Sequence, residues 1–173
     1  MKKILITGAS GFIGQSFIKH SSKLKIPIRG IVRSNSPLFL DKEIEYDFVG
    51  DINHKTNWKA SLINIDCIIH CAGIAHIINT KKNNLLKIYQ STNVNGTIQL
   101  AEQAANYKVR RLIFLSSIKV NGENTTNDHI SKFLNEKKSI FSHKDLANPE
   151  DAYGKSKLEA EKALWEISLR TGL

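Results

Sequence analysis

The chain has 173 residues, of which 41% are hydrophobic and 24% are charged, a composition typical of one soluble domain with a sizeable core. No segment approaches the roughly 18 uninterrupted apolar residues of a membrane span, and "MKKILI" is too short for a signal peptide, so we predict a cytoplasmic protein without a membrane span. A net charge of +9 is compatible with binding to nucleic acid. The basic residues are scattered and form no stripe with aromatic residues, and this distribution argues against nucleic-acid binding.

Short β-rich runs alternate with longer helical patterns along the chain. In chain order, strands are predicted at 2–7, 26–32, 44–52, 66–73 and 109–117, and helices at 12–25, 58–63, 83–107 and 150–172. The weak periodicity of residues 118–150 predicts a long loop with a short helix near 130–138. The alternation predicts an α/β fold, a doubly wound parallel sheet with helices on both faces.

Three glycines recur every third residue directly after the first predicted strand, in "TGASGFIG". Gly8 allows a tight turn, Gly11 lets the backbone approach a pyrophosphate, and Gly14 lets the helix pack closely on the sheet. Amide groups at the start of the helix, at Phe12 and Ile13, can donate to phosphate oxygens. No Gly-Lys-Ser/Thr sequence follows, which excludes a P-loop. The loop therefore predicts a Rossmann-type domain that binds a dinucleotide.

The second predicted strand ends in "IVRSNS", at the place where such folds usually have an acidic residue for the adenosine ribose. Arg33 lies at about that place, and an arginine can pair with the 2′-phosphate of NADP. The residue slightly favours NADP over NAD. The alternative is an arginine that only faces solvent beside the site.

The two cysteines, Cys67 and Cys71, lie in "DCIIHCAG". On a strand their Cα atoms would be about 13 Å apart, which is too far for a disulfide. We interpret both as reduced core residues. His70 and His76 complete no four-ligand spacing, so no metal site is predicted.

The last predicted helix begins near "AYGKSK", where Tyr153 and Lys157 are four residues apart and face the same way. A free tyrosine, with a pKa of about 10, is a poor acid–base at neutral pH, and a neighbouring ammonium group lowers that pKa. Ser116 and Ser117 end the fifth predicted strand, where a hydroxyl can bond a substrate oxygen. No nucleophile elbow is present, which argues against a hydrolase.

The motifs "TGASGFIG", "DCIIHCAG", "STNVNGT", "FLSSIKVNG" and "YGKSK" follow in the order and spacing of the extended short-chain dehydrogenase/reductases. Over essentially its whole length the chain resembles that family, and more narrowly its NAD-dependent epimerase/dehydratase branch, which acts on nucleotide sugars. The resemblance implies catalytic roles for Ser117, Tyr153 and Lys157. Ser117 would orient the sugar oxygen, Tyr153 would transfer a proton, and Lys157 would hold the ribose and tune the tyrosine.

The resemblance also implies further positions at the site. Asp51 and Ile52 would contact adenine, Cys71, Ala72 and Gly73 would pass along the cofactor, Lys119 and Asn121 would lie at the substrate, and Asn93 would give structural support. "SSIKVNGE" is similar to a subgroup serving bacterial surface polysaccharides, with UDP-sugar 4-epimerases and 4-keto-sugar reductases. The sequence does not separate these two activities. A 4,6-dehydratase is disfavoured because no Asp-Glu pair follows Ser117.

The family normally continues for over a hundred residues, with more strands and a small C-terminal domain that grips the nucleotide sugar. The resemblance therefore implies that residues 1–173 form a truncated dinucleotide-binding domain without the substrate domain. We expect an open sheet edge that could associate into a homodimer, and weak or absent turnover. The alternative is a module that binds the dinucleotide without chemistry. A redox-sensing regulator is disfavoured because that class usually lacks the Tyr-Lys pair.

Overall fold

A computed structural model describes residues 2–34, 44–75, 82–124, 141–142 and 144–173. Its strands are β1 (Lys3–Thr7), β2 (Ile28–Val32), β3 (Glu45–Phe48), β4 (Ile65–His70) and β5 (Arg111–Phe114). Its helices are α1 (Phe12–Lys23), α2 (Lys82–Tyr89), α3 (Gly96–Asn106) and α4 (Ala152–Thr171). A π-helical segment (Gln90–Asn95) joins α2 to α3, and a 3-10 turn (Ile118–Val120) follows β5.

The strands form one parallel sheet in the order β3-β2-β1-β4-β5. Thr7, the last residue of β1, is in register with Ile31 of β2 and with His70 of β4. The carboxyl ends of these strands therefore meet at one edge of the sheet, where ligands bind in such folds. This architecture confirms the predicted α/β, Rossmann-like class.

Neighbouring residues of the central strand point to opposite faces of the sheet, and each face has its own core. Leu5 packs with residues that include Trp58 and Leu100 of α3. Ile6 packs with residues that include Ile18 of α1. The two helices therefore cover opposite faces, as the doubly wound pattern predicted.

The helix predicted at 58–63 is wrong, because these residues form turns. One helical bond joins the Leu62 amide to the Trp58 carbonyl at 2.9 Å, but the next amide bonds only three residues back. Asn64 then has a φ of 62°, which turns the chain into β4. The apolar residues that suggested a helix are explained by burial, since Trp58 is fully buried in the core.

Other predicted boundaries also shift. The strands predicted at 44–52 and 109–117 are shorter, and the helix predicted at 83–107 contains the π-helical segment. The helix predicted near 130–138 lies outside the described residues. Among the helices that are described, none is both long and apolar enough to cross a membrane.

The last helix has clear capping at both ends. The Asp151 carboxylate accepts a hydrogen bond from the Gly154 amide at 2.6 Å and forms the N-cap, so the helix begins at Ala152 rather than at the predicted residue 150. Gly172, with a φ of 78°, ends the helix as predicted. These caps fix where α4 begins and ends, and Tyr153 and Lys157 lie on one face of its first two turns.

Candidate functional site

The turn from β1 into α1 requires glycine for two different reasons. Gly8 has a φ of +66°, and a Cβ there would lie 2.9 Å from the backbone nitrogen of Ala72. A Cβ at Gly14 would lie 2.2 Å from the Gly8 carbonyl oxygen, so the helix can approach the turn only without a side chain. The turn therefore holds the start of α1 close to the end of β4.

The first turn of α1 is suited to an anion. Gly11 is its N-cap and contributes no side chain, and the first turn contains no acidic residue. The first amides of a helix have no partner within the helix, and the helix dipole favours negative charge there. Phe12 and Ile13 carry these amides, and their side chains are exposed.

A cleft of about 400 Å³ opens at the carboxyl ends of β1, β2 and β4. It is lined by eight of the residues predicted for the cofactor: Gly8, Gly11, Arg33, Asp51, Ile52, Cys71, Ala72 and Gly73. Five other residues predicted for the cofactor lie outside the lining: Phe12, Ile13, Gly14, Tyr153 and Lys157. Sequence reasoning missed Ser10, Ile31, Val32, Ser34, Val49, Gly50, Ile74 and Thr92, most of which adjoin predicted positions.

Two charged residues pair across the cleft. The Arg33 Nε lies 3.2 Å from an oxygen of Asp51, and both side chains are largely exposed, at 72% and 79%. Exposed ion pairs of this kind are worth only about 0–1 kcal/mol. The Arg33 guanidinium can therefore exchange Asp51 for a ligand phosphate at little cost.

Lys157 is buried beside this cleft. Its Nζ lies 3.9 Å from the centroid of the Phe114 ring, and a Cβ at Gly73 would be 4.0 Å from the same atom. Only 5% of the residue is exposed, and burial lowers the pKa of its ammonium group to about 8. The Phe114 ring face stabilises the cation. An ammonium group is thus held in a poorly hydrated position next to a residue that lines the cleft.

Tyr153 lies one turn before Lys157 on α4. Its ring centroid is 6.0 Å from that of Tyr89, at the end of α2, with the rings tilted by 55°. The Tyr89 hydroxyl donates to the Ala75 carbonyl at 3.0 Å, which leaves Tyr89 to pack rather than titrate. Burial raises the pKa of Tyr89 further. Of the two tyrosines, Tyr153 is the one placed on the same helix face as the buried ammonium.

Ser117 lies where the chain leaves β5 and caps the 3-10 turn. Its Oγ accepts a hydrogen bond from the Lys119 amide at 3.2 Å. This turn packs directly on α4, since a Cβ at Gly154 would lie 2.5 Å from the Lys119 carbonyl oxygen. The absence of a side chain at Gly154 therefore lets the serine segment approach the helix of Tyr153.

The other two residues predicted at the substrate are held by local contacts. The Lys119 ammonium pairs with Glu123 and lies 3.8 Å from a carboxylate oxygen of Asp151. The Asn121 amide donates to the Ile118 carbonyl at 2.9 Å. Lys119 thus bridges the turn after Ser117 to the cap of α4, in addition to any contact with substrate.

Asn93, in the π-helical segment, ties the cleft wall to α4. Its side chain accepts from the Ile74 amide at 2.8 Å and donates to the Ile74 carbonyl at 2.9 Å. It also donates to the Ser156 Oγ at 3.1 Å, and that hydroxyl donates to the Tyr153 carbonyl at 2.7 Å. These bonds support the predicted structural role.

His70 anchors a buried hydrogen-bond network that the sequence did not reveal. The Ala72 amide donates to the Thr7 hydroxyl at 3.1 Å, and that hydroxyl lies 2.6 Å from the His70 Nδ1. The His70 Nε2 lies 2.9 Å from the Thr97 hydroxyl, which donates to the Asn93 carbonyl. Every donor is matched if His70 carries its proton on Nε2.

Burial, reinforced by the Lys157 charge, lowers the pKa of His70 to about 3. The ring is therefore neutral at physiological pH and structural. Within the described residues, no group of three His, Cys, Asp or Glu side chains could hold a metal ion. Cys67 and Cys71 are free thiols, and burial raises the pKa of each.

Known proteins are similar to this chain in sequence and in fold. The model of the 3-beta hydroxysteroid dehydrogenase/isomerase family matches residues 5–168. The UDP-glucose 4-epimerase of Vibrio cholerae is 38% identical over 168 residues, which are 94% of this chain and 46% of that relative. The solved UDP-glucuronic acid 4-epimerase of Bacillus cereus, in complex with NAD, aligns with a TM-score of 0.77 and 25% identity, over 99% of this chain and 54% of that one. MoeE5 in complex with UDP-glucose and NAD aligns with a TM-score of 0.76 and 24% identity, over 96% of this chain and 49% of that one.

The chain spans about half the length of the relatives that it matches. Within that span the family match leaves out only a few residues at either end. The similarity to UDP-sugar 4-epimerases confirms the resemblance to the extended short-chain dehydrogenase/reductases that the motifs predicted. The family match shows that the chain belongs to the 3-beta hydroxysteroid dehydrogenase/isomerase family.

Proposed function

We propose that the chain forms the dinucleotide-binding and proton-transfer part of an NAD-dependent enzyme that acts at C4 of a UDP-sugar, with 4-epimerisation as the reaction. The observation that carries the proposal is the buried Lys157 ammonium beside Gly73, at the wall of the cleft that starts from the glycine turn. The 38% identity to the Vibrio cholerae UDP-glucose 4-epimerase supports the choice of reaction. A role in surface polysaccharide synthesis and a cytoplasmic location stay predictions.

The residues at the turn fit a dinucleotide. Gly8 and Gly11 line the cleft, and the amides of the first turn of α1 would bind the oxygens of a pyrophosphate there. Asp51 and Ile52 would lie at the adenine, and Cys71, Ala72 and Gly73 would line the path to the nicotinamide. Both solved relatives described above are complexes with NAD.

The nicotinamide, when bound, would supply the hydride acceptor and donor for the sugar carbon. Tyr153 would remove the proton from the C4 hydroxyl as the ketone forms, and return it as the alcohol reforms. The Lys157 ammonium would stabilise negative charge on the tyrosine oxygen and bond the ribose hydroxyls. Ser117 would hold the sugar oxygen with its hydroxyl.

The choice between NAD and NADP depends on whether the site binds a 2′-phosphate. Arg33 favours NADP in our interpretation, but the comparisons give no support for NADP, because the solved relatives hold NAD. We therefore propose NAD as the cofactor. The exposed pair of Arg33 with Asp51, at 3.2 Å, opposes a 2′-phosphate only weakly, so Arg33 would admit NADP when Asp51 releases it.

The second candidate function is a module that binds the dinucleotide without catalysis. The observation that favours it is that the cleft is lined by predicted dinucleotide positions such as Gly8 and Gly73, whereas Ser117 and Tyr153 are not among its lining residues. Under this candidate the protein binds NAD as well, and only turnover is missing.

Calorimetric titration with NAD tests binding, and product analysis with UDP-glucose or UDP-N-acetylhexosamines tests the reaction. Exchange between C4 epimers without net change in cofactor absorbance supports the epimerase, and net NADPH loss with a 4-keto sugar indicates a reductase. Tyr153→Phe should abolish turnover and keep NAD affinity, whereas Tyr107→Phe, at an exposed position at the end of α3, should change neither. Binding without turnover indicates the module, and failure to bind any nicotinamide dinucleotide refutes both.

A further inference from the structure

Residues 51–58 form a loop that begins at the cleft and ends in the core. Asp51 and Ile52 line the cleft, whereas Trp58, at the other end of the loop, is fully buried. The loop contains no helix or strand, so its shape depends on side-chain hydrogen bonds. We call it the adenine-side loop, because Asp51 and Ile52 are the residues proposed to contact adenine.

Thr56 holds the adenine-side loop together from inside, and only 6% of this residue is exposed. Its hydroxyl accepts a hydrogen bond from the Asn53 amide at 2.9 Å and donates to the Asp51 carbonyl at 3.3 Å. The Asn53 carbonyl in turn accepts a bond from the Thr56 amide at 3.1 Å. One buried hydroxyl therefore fixes the backbone of Asp51 relative to the turn that follows it.

Gln103 of α3 fastens the adenine-side loop to the helix. Its side-chain NH₂ group donates to the Thr56 carbonyl at 2.9 Å, and its side-chain oxygen accepts from the Trp58 amide at 2.8 Å. Both polar ends of one side chain are thus used on the same loop. Since an unpaired backbone group costs free energy when it is buried, these two bonds hold the loop in one position on α3.

Gly96, the first residue of α3, lies against the other end of the adenine-side loop. A Cβ at Gly96 would lie 2.5 Å from the side chain of Ile52, so only glycine lets Ile52 pack this closely. Positions 96 and 103 are about two helical turns apart and share one face of α3. The helix therefore contacts the loop at two points, beside the cleft and beside the core.

We propose that Gln103 and Thr56 are positioning residues for the adenosine half of a bound dinucleotide. Neither residue lines the cleft, so both act through Asp51 and Ile52. This inference rests on the proposed function, because it requires a dinucleotide in the cleft, and it adds that part of adenine recognition is set by a helix outside the cleft. The nicotinamide half would lie along a different wall, residues 71–73, and should not depend on the loop.

The test measures selectivity for the base, which a general loss of structure would not change. Calorimetric titrations compare NAD with its deamino analogue, in which hypoxanthine replaces adenine and the exocyclic amino group is missing. A carboxylate oxygen of Asp51 can accept a hydrogen bond from that amino group, so the wild type should bind NAD more tightly than the analogue.

Gln103→Met and Thr56→Val remove the hydrogen bonds and keep similar side-chain volumes. We expect each variant to bind NAD about three- to ten-fold more weakly and the analogue with a smaller loss, so that the ratio of the two affinities falls toward one. Gln90→Met is the matched control, because the Gln90 side chain donates to Glu159 at 2.8 Å rather than to the loop, and it should keep the wild-type ratio.

Circular dichroism checks that each variant is folded, and either variant alone decides the outcome, because the two change the two sides of one contact. The inference is overturned if the wild type binds both dinucleotides equally, if the variants weaken both by the same factor, or if the variants weaken neither. A wild type that binds neither dinucleotide refutes the proposed function and this inference together. That result differs from the other three because it is seen without any variant.

Discussion

Replacing Lys157 with methionine should stabilise the folded chain while it removes the proposed function. Burial lowers the pKa of the ammonium group from 10.5 to about 8, and this difference corresponds to about 3 kcal/mol of unfavourable free energy in the charged form. The contact with the Phe114 ring, at 3.9 Å, returns about 0.5–2 kcal/mol. At pH 7 we therefore expect Lys157→Met to raise the free energy of unfolding by about 1–3 kcal/mol.

The sign of the pH dependence follows from the same pKa values. Below about pH 8 the lysine is charged in both states, so the whole cost is present. Between about pH 8 and 10.5 the folded chain releases the proton that the unfolded chain keeps, so the wild type gains stability as the pH rises. Above that window the lysine is neutral in both states and the cost disappears. The advantage of Lys157→Met should shrink over this window.

Urea denaturation followed by circular dichroism at pH 7, 8, 9 and 10 measures the effect. Lys155→Met is the matched control, because Lys155 is an exposed residue on the same helix and should change stability by less than about 0.5 kcal/mol. The reasoning is refuted if Lys157→Met is less stable than the wild type at pH 7, or if its advantage does not change between pH 8 and 10. Stabilisation combined with loss of activity would show that the buried charge is kept for chemistry.

Three further predictions concern the network, the turn and the cofactor phosphate. As the pH falls from 6.5 toward 4, His70→Gln should lose less stability than the wild type, by up to about 1.4 kcal/mol per pH unit, because in the wild type unfolding lets the neutral buried ring of His70 bind a proton. Urea denaturation at each pH measures this difference. The control variant His54→Gln, at an exposed position, should behave as the wild type. Gly8→Ala should cost several kcal/mol in thermal or urea unfolding, since it combines a positive φ with a backbone contact at 2.9 Å, whereas Gly50→Ala, with a similar φ and open space around it, should cost only about 1–2 kcal/mol. Equal losses would contradict this account of the turn. Asp51→Asn should raise the affinity for NADP relative to NAD by up to about five-fold in calorimetric titrations, because it frees the Arg33 guanidinium; an unchanged ratio would mean that Arg33 does not meet the 2′-phosphate.

Several features of the fold and site could be predicted because they depend on residues close together in the chain. The glycine spacing determines the turn into α1, and the alternation of apolar runs determines the parallel sheet. Tyr153 and Lys157 share a face because four residues make about one helical turn. The motif order was specific enough to predict the extended short-chain dehydrogenase/reductases, which the family match over residues 5–168 and the 38% identity to a UDP-glucose 4-epimerase confirmed.

Apolar patterns were less informative where burial, rather than regular structure, explains them. Residues 58–63 contain Trp58 and Leu62 at a helical spacing, yet the segment forms turns. The apolar spacing reflects burial, because both side chains pack in the core with Leu100 of α3. The π-helical segment likewise has no local signature that we recognised. Its Asn93 is directed at Ile74 and Ser156, which are distant in sequence.

The sequence by itself determined the turn, the sheet and the pair on α4. Tertiary structure alone decided the electrostatics of the site. Lys157 is placed over Phe114, His70 is enclosed between Thr7 and Thr97, and Arg33 pairs with Asp51 only once distant segments meet. The physical reason is that turn geometry and periodicity act between neighbours in the chain, whereas desolvation and charge pairing depend on whatever the fold brings within a few ångströms.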